Sequence, residues 1–123
     1  MANDLLLAAA MLLMVTALVH SVLGELRLIG PLIARREGIL ARDLARVILR
    51  FAWHLTSVTW LVLGLILVQL VHNPVTARLW AASATGVAFI GVGLFDAVAS
   101  RGRHIGWPLL VGIGIAALLS VLV

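Results

Sequence analysis

Apolar residues run along this chain in four long blocks with short polar interruptions between them. The blocks cover about residues 5–23, 51–71, 79–98 and 105–123. A helix rising ~1.5 Å per residue crosses a ~30 Å hydrocarbon core in roughly 20 residues, so each block reads as a transmembrane helix. The second and third connections are roughly 7 and 6 residues long, which forces antiparallel neighbours. The expected fold is an all-α integral membrane protein, a single up-down four-transmembrane-helix bundle over residues 1–123.

The first connection has a different pattern. Between residues 38 and 50, Leu40, Leu44, Val47 and Ile48 recur at helical spacing and lead to Phe51, while Arg42, Arg46 and Arg50 form a stripe four residues apart. An apolar face beside an arginine stripe suits an amphipathic helix at the headgroup boundary, running on into the second span. Arg42, Arg46 and Arg50 are therefore candidates for contact with lipid phosphate or an acidic partner. Just upstream, Gly30-Pro31 is expected to end any extension of the first helix, because proline has no N–H to donate.

Composition agrees with the pattern. Of 123 residues 63% are hydrophobic and 11% charged, and the mean hydropathy is +1.20. A soluble domain of this size could not hide so much apolar surface. The sequence pI near 11.7 comes from nine arginines against five acids, and placement explains it better than nucleic-acid binding. Eight of those arginines lie in the first and third connections, and only Arg78 lies in the second. Short arginine-rich loops stay cytoplasmic, which puts both termini on the non-cytoplasmic side. The general layout is that of a small bacterial inner-membrane protein. The first block lacks the basic start and A-x-A site of a signal peptide, and is expected to be a retained helix. With no cysteine, disulfides and thiolate chemistry are excluded.

Helices in lipid associate through close backbone approach and interhelical hydrogen bonds. The fourth block offers Gly112, Ala116 and Ser120 four residues apart, and the third offers Gly86 and Gly93, extended by Ala82 and Ala97. Trp53, Trp80 and Trp107 lie near span ends as interfacial anchors. Trp60 lies deeper and shares a face with Trp53, with Ser57 between them, so that face is expected to meet another helix or a partner.

The candidate chemistry is a layer of polar residues on the arginine-rich side. His20 and Glu25 end the first block, His54 begins the second, Asp96 ends the third and His104 begins the fourth. Imidazoles from facing helices can hold haem or a transition metal, so His20, His54 and His104 are candidate cofactor ligands, with Glu25 and Asp96 as further metal ligands. Quinone or proton handling is a further use of such a layer. The ordinary alternative is interfacial histidine, hydrogen-bonded to its surroundings. No helix carries H-x-x-x-H or E-x-x-H, and His20 and Glu25 lie ~140° apart on a regular helix. A membrane-embedded Asp96 costs ~3 kcal/mol, so Arg50, Arg101 or a histidine should pair with it.

Two functions follow as expectations. One is a noncatalytic accessory or scaffold subunit of a larger membrane complex, with lipid and other membrane subunits or further copies of itself as partners. The other is an intramembrane haem- or metal-binding redox protein. A small channel or transporter fits less well, since the spans hold few polar residues.

Overall fold

The computed structural model describes residues 2–122, and it is all-helical. Helix α1 (Ala2–Gly24) passes through one π-helical turn (Glu25–Ile29) into α2 (Gly30–Ala34), making a continuous rod. A 3₁₀ turn (Gly38–Ala41) then leads to α3 (Asp43–His72), α4 (Ala77–Ala99) and α5 (Gly106–Leu122). The first rod, α3 and α4 are 32, 30 and 23 residues long in their apolar extents, enough to cross a bilayer, while α5 is apolar but shorter. Large apolar side chains such as Met11, Leu12, Val87, Phe95 and Leu109 stand more than half exposed. Surface of this kind belongs in lipid or against another apolar surface, and the chain is a membrane protein.

The helices pack as two antiparallel pairs, α1 with α3 and α4 with α5, joined by a lesser contact between α3 and α4. Small residues set both pairings. Along α1, Ala10 and Ala17 are buried, and Gly64 of α3 lies against Ala10 and Met14. Gly86 and Gly114 face each other across α4 and α5. A Cβ on Gly114 would lie 2.7 Å from the Gly86 carbonyl oxygen, and a Cβ on Gly86 would lie 3.1 Å from that of Gly114. Gly93 is the second tight point, against Val111 and the Trp107 carbonyl. The small-residue row of the last helix lies outside this seam. Gly112 meets open space, and Ala116 and Ser120 are exposed, so that face turns outward while Gly114 makes the contact.

The expectation for Gly30-Pro31 is corrected, because the helix passes through it instead of ending. The π-turn accounts for this, because the Gly30 N–H reaches back five residues to the Glu25 carbonyl and the turn is widened before the proline arrives. Any Cβ at residue 30 would lie 2.7 Å from that carbonyl, so glycine is needed there. The rod ends at Ala34, and the chain turns through Arg36 in the left-handed region.

The amphipathic connection divides in two. Residues 38–41 form the 3₁₀ turn, and the segment from Asp43 onward is already α3. Arg46 ties them together by donating to the Leu40 and Ala41 carbonyls at 2.7 and 3.1 Å while pairing with Asp43.

Candidate functional site

Three groups of polar side chains gather at the arginine-rich end. The first lies between α1 and α3. The His20 ring stacks on Trp53, with centroids 4.1 Å apart and planes 9° from parallel, and meets the Trp60 ring edgewise at 5.0 Å. The Trp53 indole N–H donates to the His20 carbonyl at 3.0 Å, and His20 Nδ1 lies 3.0 Å from the Ser57 hydroxyl. The Trp53–Ser57–Trp60 face of α3 is therefore turned to α1. Ser57 is buried and bonds across the helix pair, where a serine in a membrane helix would ordinarily bond its own backbone.

Gly24, one turn beyond His20, makes room for the Trp53 indole, since a Cβ there would overlap its Nε1. Gly24→Ala is accordingly expected to expel the ring, losing one hydrogen bond and one stacked contact, with a cost of about 2–3 kcal/mol. Detergent-phase thermal unfolding, with tryptophan emission reporting the ring, would measure this. An unchanged midpoint would show that Trp53 moves freely.

The second group is His54, Glu25, Ser21 and Arg50. His54 Nε2 lies 3.3 Å from Glu25 Oε2, and His54 Nδ1 lies 2.6 Å from the Ser21 hydroxyl. A carboxylate only accepts, so in the neutral ring Nε2–H donates to Glu25 and the Nδ1 lone pair accepts from Ser21. Both ring nitrogens of His54 are thus engaged. Arg50 completes the group, with its Nη2 2.6 Å from Glu25 Oε1.

The third group joins α4 to the start of α5. Asp96 is fully buried, and its Oδ2 accepts from His104 Nδ1 at 2.5 Å. Asp96 Oδ1 has no hydrogen-bond partner. The partner required for this carboxyl is therefore the histidine and not an arginine. The connecting turn is locked by backbone bonds from Gly102 N to Ala97 O and from Arg101 N to Val98 O, and by the His104 N–H donating to the buried Ser100 hydroxyl. This is a Schellman ending, with Arg101 at φ 54° in the position that normally selects glycine.

The layer is therefore split among separate contacts. His20 and His54 both lie in the α1–α3 seam, each bonded to a serine of the opposite helix, while His104 belongs to α4 and α5. Among the described residues, no three His, Asp or Glu side chains stand close enough to hold a metal ion together.

Beside these groups, a cleft of about 770 Å³ opens between α3 and α4. Arg46, Arg50, Arg101 and Arg103 line it together with Asp43 and His54, and its remaining wall is apolar. Of the residues singled out for lipid or partner contact, Arg46 and Arg50 line the cleft. Arg42 caps α3 from outside it, and Trp53 and Trp60 face His20. Arg101, Arg103 and Ser21 were missed as site residues. The only signal for the first two was their position at the end of the third span, opposite the arginine stripe. Comparison of the chain with protein-family models, with curated proteins and with solved structures finds no match.

Proposed function

We propose that this protein is a noncatalytic scaffold or accessory subunit of a larger membrane complex. In this reading α5 crosses as the fourth span of an up-down bundle in a bacterial inner membrane. The arginine-rich end faces the cytoplasm and both termini lie on the other side. The observation that carries the reading is how the polar side chains of the spans are used. His20, Ser21, His54 and Ser57 bond helix to helix, and even His54, which borders the cleft, has both ring nitrogens engaged by Ser21 and Glu25. The outward faces are apolar and, on α5, small-residued through Gly112, Ala116 and Ser120. Such faces suit contact with another membrane helix.

Extraction of native membranes in mild detergent tests the proposal. The protein should migrate with a stoichiometric membrane partner, and migration alone as a single chain would overturn it.

One observation favours a second reading, a metal or haem site. A buried carboxylate holding Nδ1 of a histidine is the arrangement that orients an imidazole to ligate through Nε2, and Asp96 holds His104 in that way. An absorbance spectrum and elemental analysis of the purified protein decide it. A Soret band or a bound transition metal lost in His104→Ala supports the second reading, and the absence of both removes it.

A further inference from the structure

We infer that the cleft between α3 and α4 is a binding site for an anionic phospholipid, with the phosphate at its arginine end and an acyl chain along its apolar floor. This site is independent of the scaffold reading.

The cleft is polar at one end only. α3 and α4 run antiparallel, so the start of α3 and the end of α4 meet. There Arg46 and Arg50 on one helix face Arg101 and Arg103 just beyond the other. Away from that end the walls are Leu55 and Val58 of α3 with Val92 and Phe95 of α4. From Arg50 to Val58 the floor extends for about 12 Å along the helix axis, and its one polar member, His54 one turn beyond Arg50, has its ring nitrogens engaged by Ser21 and Glu25. Both helices span the membrane, so the floor lies at acyl-chain depth and the arginines lie at the headgroups. A basic pocket between membrane helices is the chemistry that takes acidic headgroups.

Charge decides what the arginine end accepts. Four arginines line it against Asp43, and Glu25 pairs with Arg50 from outside the wall, so two positive charges remain in excess. Arg46 is committed to Asp43 and to the 3₁₀ turn, and Arg50 to Glu25. Arg103 donates only its Nε, at 3.3 Å, to the Ser100 carbonyl, and Arg101 has no side-chain partner among the described residues. These two guanidiniums can offer the paired donors that a phosphate takes.

The backbone at Arg101 adds weight. Arg101 at φ 54° and Gly102 at φ 71° are successive left-handed residues, and the first of them, where glycine would be unstrained, is an arginine. The placement aims a guanidinium into the cleft at the expense of local comfort. The cleft volume lies within the roughly 300–1,000 Å³ of ordinary ligand sites, enough for a headgroup and the first part of a chain. An acidic peptide would satisfy the arginines but leave the floor bare.

The test uses the full chain in a neutral detergent, with dioctanoyl phosphatidylglycerol, dioctanoyl phosphatidylcholine and inorganic phosphate as separate probes. Native mass spectrometry counts bound lipid, and thermal unfolding reports stabilisation. Phosphatidylglycerol should bind at one per chain and in clear preference to phosphatidylcholine. Arg101→Gly should raise the unfolding midpoint of the lipid-free protein while weakening phosphatidylglycerol binding about fivefold, and adding Arg103→Gln should bring the loss to about 25-fold. Val92→Trp, which fills the floor and keeps every arginine, should abolish retention of the lipid. Equal retention of the two lipids, or stabilisation by inorganic phosphate matching that by phosphatidylglycerol, would overturn the proposal. So would affinity within about twofold of wild type in the double arginine variant. That variant alters an exposed turn only, so the test stands even if Val92→Trp does not fold.

Discussion

His104→Ala should destabilise the folded protein by about 3–5 kcal/mol, the range for leaving a buried carboxylate without the partner that satisfies it. Asp96 is fully buried, and among the described residues its carboxyl has His104 as its one partner, since Oδ1 has none. Alanine would leave the whole carboxyl group unpartnered where water does not reach. The companion variant tests the cause. Asp96→Asn combined with His104→Ala replaces the stranded carboxyl with a neutral amide, and should cost only about 1–3 kcal/mol, as for a neutral polar group left unpaired. The double variant is thus expected to be more stable than His104→Ala alone. Denaturant or thermal unfolding in detergent measures both. Equal destabilisation by the two would assign the loss to His104 packing, including its edgewise contact with Phe51, instead of to the carboxyl.

The second large effect is expected at Gly114. Its missing side chain would sit 2.7 Å from the Gly86 carbonyl oxygen and 2.8 Å from the Ile90 nitrogen, both backbone atoms of α4. Backbone cannot swing aside, so Gly114→Ala forces the two helices apart along the most extensive helix pair in the molecule. A cost of about 3 kcal/mol is expected, at the upper end for overpacking. Gly86→Ala should cost less, because the nearest obstacles are the Leu118 side-chain carbons at 2.5 and 2.6 Å, which a rotamer change can move. Gly112→Ala, two residues from Gly114, meets nothing within 4 Å and should be neutral or slightly stabilising. The order Gly114, Gly86, Gly112 is what unfolding measurements must reproduce. A large loss at Gly112 would place a partner on the outward face, since this chain puts nothing there.

The contrast between Gly112 and Gly114 shows where sequence reasoning stops. Both occur in VGIGIA, and spacing favoured Gly112 because Ala116 and Ser120 continue its row. In water the buried face of a helix is announced by its apolar stripe. In lipid both faces are apolar, and helix rotation is decided by fit to a neighbour several turns away in sequence. The length of a span is written in its composition, and so is the end at which arginines gather. The polar layer was legible for the same reason, since charged and imidazole groups cluster where spans meet water. Which ring meets which partner was not, because it depends on rotations of the helices about their own axes. Trp53, Ser57 and Trp60 were the exception. Their common face was polar enough to indicate a protein neighbour, and that neighbour is His20 of α1.

The widened turn at Glu25–Ile29 changes the phase of the first rod. Ala10, Ala17 and Gly24 lie seven residues apart on the seam toward α3. An unbroken α-helix would carry that seam on to Leu28 and Leu32, yet these stand 49% and 37% exposed while Ile29 and Ile33 are buried at 2% and 8%. One additional residue has been taken up, so the seam passes from small residues that let the backbones touch to isoleucines that hold them apart. The two halves of the rod are thereby separable in register. Gaining or losing a single residue within those five would leave the packing of Ala10 and Ala17 in place. It would turn Arg35, Arg36 and the whole connection behind them by about 100° around the axis.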